Sequence, residues 1–97
     1  MDHSDTLLTR DAAAVWHPFT QHGLGREPIP MASGAGAVLR DSGGREYLDM
    51  ISSWWVNLHG HGRPELAKAV SDQILKLDHV QFAGATHEPA VGLAEGL

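Results

Sequence analysis

The chain has 97 residues, 42% of them apolar and 20% charged, with a formal net charge of −5 at pH 7, histidines counted neutral. That length fits one small domain or a piece of a larger one, at the marginal end for burying a core. Twelve acids against seven basic residues, spread along the chain, leave no basic patch for nucleic acid, and the absence of cysteine excludes a disulfide framework and a thiolate metal site.

Met1 to Arg10 is polar, carries Asp2 and Asp5, and lacks the apolar run of a signal peptide. No apolar run approaches the ~20 residues a membrane helix needs, so a soluble cytoplasmic protein with no membrane partner is expected. Asp11 to Val15, with three alanines, adds a short helical turn, and residues 1–15 read together as a flexible N-terminus. In Trp16-His17-Pro18-Phe19-Thr20-Gln21, Pro18 fixes its own φ and pushes His17 towards an extended conformation. Such a rigid aromatic arm either reaches into a site elsewhere in the molecule or ties the N-terminus to the body.

Gly23 to Pro30 holds two glycines and two prolines and reads as a connecting loop. Ala35–Leu39 and Arg45–Asp49 flank Asp41-Ser42-Gly43-Gly44, the pattern of a β-hairpin whose glycines supply positive φ. From it the chain runs into Met50-Ile-Ser-Ser-Trp-Trp-Val-Asn-Leu-His-Gly-His-Gly62, the stretch that organises the rest. It is apolar enough for a strand, and on a strand Trp54 and Trp55 point to opposite faces. One ring then enters the core, while the other forms a wall for an apolar or aromatic ligand or packs on a second layer.

Pro64 to Leu77 is a helix, with Leu66, Val70, Ile74 and Leu77 on one stripe and Glu65, Lys68, Asp72 and Lys76 on a solvated face, Asp72 and Lys76 at i,i+4 spacing. Asp78 to Thr86 breaks that pattern. Thr86 stands where an N-cap would, before Glu88 and Pro89, and Ala90, Val91, Ala94 and Leu97 begin a further stripe. That stripe is unfinished at Leu97, an ending expected of a piece of a longer protein. The whole is α+β: an arm, a hairpin and two helices.

Residue types offer little chemistry of their own. His59 and His61 could share one side of a strand as metal ligands, with His17, His22 and His87 in reserve, but no spacing matches a zinc module and no metal is expected. Ser52 and Ser53 lack the glycine setting of a nucleophile elbow, and Gly60-His61-Gly62 lacks the fingerprint of a phosphate loop.

Gly60-His61-Gly62-Arg63-Pro64-Glu65-Leu66, with Ala69-Val70, Gln73 and the preceding Tyr47-Leu48-Asp49, resembles a segment near the N-terminus of the class III pyridoxal-phosphate aminotransferases. Three further stretches narrow the resemblance: Trp16-His17-Pro18-Phe19-Thr20, Met50-Ile-Ser-Ser-Trp-Trp55 and His79-Val-Gln-Phe-Ala-Gly-Ala-Thr-His-Glu-Pro89. They look like the group that moves an amino group from S-adenosylmethionine to 8-amino-7-oxononanoate in biotin synthesis, giving 7,8-diaminononanoate. The resemblance implies a fold type I homodimer using pyridoxal 5'-phosphate, with residues 16–97 as its N-terminal part, ending before the large cofactor-binding domain. It also implies that the cofactor-bearing lysine and the phosphate site lie downstream, so that no catalytic or cofactor-binding residue is expected in this chain and the chain alone is inactive. What carries over is substrate binding. Trp54 corresponds to the substrate-contacting first tryptophan of Ser-Trp-Trp, and Phe19 to the aromatic after His-Pro, where many relatives have tyrosine. Phe19 keeps the flat face and lacks the hydroxyl. The alternatives are another class III ω-aminotransferase, acting on ornithine or diamines, and a small non-catalytic binding domain.

Overall fold

The computed structural model describes residues 3–21 and 23–97, with the side chains of residues 3–5 outside the description. The chain divides into two units, Met1–Arg63 and Pro64–Leu97. The first holds α1 (His3–Ala14), β1 (Met31–Ala35), β2 (Val38–Asp41), β3 (Glu46–Leu48) and the single turn α2 (Ser52–Trp55); the second holds α3 (Pro64–Lys76) and α4 (Glu88–Gly96).

The N-terminal residues form a twelve-residue helix in place of the expected loose segment and short turn. Leu7, Leu8 and the alanines at 12, 13 and 14 are good helix formers, and together they outweigh the polar residues between them. Asp11 then ties the helix to the arm: its Oδ2 lies 2.7 Å from His17 Nε2, and its carbonyl accepts from the Val15 N–H at 2.8 Å.

The three strands form one antiparallel sheet in the order β1-β2-β3. The β2–β3 hairpin follows the expected pattern, with Leu39 opposite Tyr47 and an Arg40–Glu46 ion pair across the strands. Its turn is organised by Asp41. Oδ1 accepts from the N–H groups of Gly43 and Arg45, both at 2.9 Å, and Oδ2 accepts from the Tyr47 hydroxyl at 2.9 Å. The strand β1 was absent from the sequence reading. Met-Ala-Ser-Gly-Ala has no β-branched or aromatic residue, and its pairing with β2 comes from the tight reversal at Gly36 and Ala37.

Glycines in this unit permit one close backbone approach. Gly36 and His61 exchange both of their backbone hydrogen bonds, at 3.0 and 2.8 Å. A Cβ at Gly34 would stand 2.9 Å from His61 Cβ, and one at Gly62, where φ is +68°, would stand 2.9 Å from the Gly34 carbonyl oxygen. The bridge at His61 is all that remains of the expected strand over residues 50–62. Ser52 to Trp55 instead form a turn with four consecutive positive φ angles, +50°, +46°, +66° and +70°. Left-handed backbone costs roughly 1–2 kcal/mol per L-residue, so this turn needs holding from outside itself.

In the second unit α3 starts on Pro64 as expected, with Leu66, Val70 and Ile74 half exposed along its stripe. The ion pair on its outer face joins Lys68 to Asp72 at 2.5 Å, one turn earlier than the Asp72 and Lys76 spacing suggested. The cap of α4 is His87, not Thr86. His87 is extended (φ −153°, ψ 158°), its Nδ1 accepts from the Ala90 N–H at 3.3 Å, and its ring meets Phe82 edge-on. No described residue of either unit is buried.

Two outcomes follow from these contacts. Gly62→Ala adds a side chain at positive φ against backbone and is expected to lower stability by about 1–3 kcal/mol. Gly92→Ala, inside α4 with open space at its Cβ, is expected to raise it by about 0.4–1 kcal/mol; urea unfolding midpoints of the complete protein compare the two. The second outcome concerns acid. Hydrogen bonds from the Arg45 N–H, then the Tyr47 hydroxyl and the Gly43 N–H, hold the Asp41 carboxyl below the usual range against the opposing effect of burial. The N–H and hydroxyl of Ser53, followed by His61, hold Asp49 further below it. Both folded-state values are depressed, so their stabilising contribution is complete above the ordinary carboxylate value near 4 and is lost as pH falls through the depressed values. Replacing Asp49 by alanine should therefore make the loss of stability below pH 4 shallower than in the parent; an unchanged acid limb counts against the linkage.

Candidate substrate-binding site

The end of β3 delivers Asp49, whose N–H donates to the Ala37 carbonyl at 2.8 Å. Its side chain then turns back under α2. Oδ1 accepts from the Ser53 N–H at 2.9 Å and from the Ile51 N–H at 3.4 Å. Oδ2 accepts from the Ser53 hydroxyl and from His61 Nε2, both at 2.7 Å. The Asp49 side chain is only 6% exposed and that of His61 16%, so water competes weakly for these bonds.

The far side of the imidazole fixes its tautomer. Asn57 Nδ2 lies 2.7 Å from His61 Nδ1. An amide NH2 can only donate, so Nδ1 accepts and the ring proton resides on Nε2, directed at Asp49. One neutral tautomer therefore satisfies both contacts, and His61 links the Gly36 backbone to the Asp49 carboxylate.

The turn that this network grips carries the tryptophans. Successive residues on a helical turn of either hand are about 100° apart, so Trp54 and Trp55 do not face opposite ways as a strand would have them. Nor does Trp55 enter a core. It is 78% exposed and Trp54 52% exposed. The Trp54 indole meets Phe19: their ring centroids are 5.1 Å apart with the planes tilted by 50°, a normal attractive geometry for two aromatics. Phe19 is itself left-handed, with φ +54°, and 90% exposed. The two residues expected at the substrate are thus neighbours in space, each held by strained backbone and each showing a free aromatic face. Strain of this kind in bulky residues is concentrated at functional sites.

Sequence reasoning missed Asp49, Ser53 and Asn57 as parts of the site and weighed His61 as a metal ligand or part of a phosphate loop. The signal available was the spacing of Asp49 to Ile51 and Ser53, which suits a carboxylate closing a turn on its own chain. Among the described residues, no cluster of three or more His, Asp or Glu side chains is placed to hold a metal ion. His17, His61 and His87 each have a separate partner, and His22 lies outside the described residues.

The class-III aminotransferase family model matches residues 20–97. A curated adenosylmethionine-8-amino-7-oxononanoate aminotransferase of Synechococcus elongatus is 49% identical over 80 residues, which cover 82% of this chain and 19% of that protein. The crystal structure of the enzyme of that name from Methanocaldococcus jannaschii is similar with a TM-score of 0.88 at 36% identity, over 96% of this chain and 22% of that one. An omega transaminase from Pseudomonas jessenii, solved in complex with PMP, gives a TM-score of 0.83 at 27% identity, over 93% of this chain and 20% of that one. The chain therefore spans about a fifth of the length of the relatives it matches, corresponding to their N-terminal part. With most of its length matched by the family model, this chain belongs to the class-III aminotransferases.

Proposed function

We propose that the complete protein transfers an amino group from S-adenosylmethionine to 8-amino-7-oxononanoate, giving 7,8-diaminononanoate, and that this chain supplies an aromatic wall of the substrate site. The observation that carries the proposal is the Phe19–Trp54 pair. Two unlike substrates must use one site in turn, an adenine-bearing sulfonium and an alkyl keto acid. Exposed aromatic faces accept both, by stacking on the base and by apolar contact with the chain. The names of the relatives support the same reading, and the PMP complex of the P. jessenii transaminase supports dependence on pyridoxal 5'-phosphate. A homodimer, as the class III resemblance implies, and a cytoplasmic location complete the proposal.

The described residues do not themselves fit the cofactor. The lysines of the chain are Lys68 and Lys76, both exposed on α3, and Lys68 is paired with Asp72. Attachment of the cofactor and the proton transfers that go with it belong to parts of the complete protein outside this chain. Phe19 and Trp54 orient substrate and exclude water along one side of it.

Incubation of the complete protein with both substrates and pyridoxal 5'-phosphate should yield 7,8-diaminononanoate by mass spectrometry. Turnover of ornithine or a diamine with none of that product would replace the proposal with the ω-aminotransferase alternative. Base stacking on an aromatic ring is worth about 1–3 kcal/mol by alanine substitution. Trp54→Ala should therefore lower kcat/KM for S-adenosylmethionine by roughly five- to 150-fold, at ~1.4 kcal/mol per tenfold, and weaken use of the keto acid as well. Wild-type kinetics for both half-reactions in a folded Trp54→Ala enzyme would defeat the wall assignment. The 97-residue chain alone should neither bind pyridoxal 5'-phosphate stoichiometrically nor transaminate, as read by cofactor absorbance after gel filtration. A one-to-one complex would show that a cofactor site exists within it.

A further inference from the structure

We propose that Asp49 is a positioning residue for substrate recognition: its carboxylate, backed by His61 and Asn57, holds the turn Ser52–Trp55 left-handed and thereby sets the Trp54 indole against Phe19. This rests on the reading of Trp54 as a substrate wall and adds to it the group that sets the wall's place.

The inference follows from the backbone. Four successive L-residues at positive φ do not hold that conformation by their own preference, and none of them is glycine. Within the turn, the Ile51 carbonyl accepts from the Trp55 N–H and the Ser52 carbonyl from the Asn57 N–H, both at 3.0 Å. The N–H groups of Ile51 and Ser53 are taken instead by Asp49 Oδ1, and the Ser53 hydroxyl by Oδ2. Asp49 thus grips the turn both at its start and in its middle, directly before Trp54. Its own place is set twice, by the bond from its N–H to Ala37 and by His61, which the Gly36 bridge and Asn57 hold still. Without the carboxylate the turn can relax to ordinary φ values, and Trp54 then leaves from a differently directed Cα–Cβ bond. A residue acting this way changes binding through Trp54 and through nothing else.

The test is a double-mutant cycle in the complete enzyme, reading KM and kcat separately with cofactor content and circular dichroism as checks of folding. Asp49→Ala should raise KM for S-adenosylmethionine and lower kcat/KM by up to the loss seen for Trp54→Ala. In the Trp54→Ala background the same change should cost less than about twofold, because the side chain it acts through is gone. Ser53→Ala, which removes one bond and leaves the rest, should show the same coupling with a smaller loss, and it decides the matter if Asp49→Ala is not recovered folded. If Trp54→Ala impairs recognition but the Asp49 and Ser53 changes cost equal factors in both backgrounds, or lower kcat with KM unchanged, positioning through Trp54 is wrong while the wall stands. If Trp54→Ala itself leaves kcat/KM intact, the wall reading fails and takes this inference with it.

Discussion

The Asp49 carboxylate is the contact on which the rest of the first unit depends. It receives four hydrogen bonds from three residues, two of them backbone N–H groups of a turn that cannot stand alone. Protonation would place an O–H among donors, so the N–H and hydroxyl of Ser53, followed by His61, favour the ionised form and hold the carboxyl below its usual range. The chain of support is continuous. The Gly36 bridge holds His61, His61 and the Ala37 carbonyl hold Asp49, Asp49 holds Ser53, and the residue after Ser53 is the tryptophan that meets Phe19.

The glycines at 34 and 62 belong to the same arrangement. Neither is a flexible joint. At Gly34 a side chain would collide with His61, and at Gly62 it would collide with the Gly34 carbonyl, so together they let two backbones close to bonding distance. The side chains of Asp49 and His61 are 6% and 16% exposed. Trp55, Val56 and Leu58 are each more than three-quarters exposed, whereas Asp49 is nearly covered. The unit is therefore organised around hydrogen bonds rather than an oily centre. Its apolar side chains, like the stripe of α3, gain their stabilising effect only where another surface covers them.

Elements whose signal is local could be read from the sequence. The β2–β3 hairpin is written in Asp41-Ser42-Gly43-Gly44, and α3 in its proline start and four-residue spacing. The aromatic pair was legible only as a resemblance, since nothing in the spacing of Phe19 and Trp54, thirty-five positions apart, brings them together. The left-handed turn was not legible at all. Ser-Ser-Trp-Trp contains no glycine and looks like a strand, and what overrides that preference is a carboxylate earlier in the chain together with a histidine later in it. The strand β1 and the His87 cap were missed for similar reasons. Met31–Ala35 lacks strand formers, and an imidazole is an uncommon acceptor at a helix start. In each case a specific contact, long-range at the left-handed turn and local at β1 and His87, decides the conformation over the residues' own tendency.

A crystal structure of the complete enzyme with S-adenosylmethionine bound tests this account most directly. The expected result is the adenine ring or the sulfonium side chain within about 4.5 Å of both the Phe19 and Trp54 rings, with positive φ retained from Ser52 to Trp55 and Asp49 still bonded to Ser53 and His61. A substrate bound with neither ring in contact, or a bound complex in which the turn has left the left-handed region while Trp54 keeps its place, would contradict it.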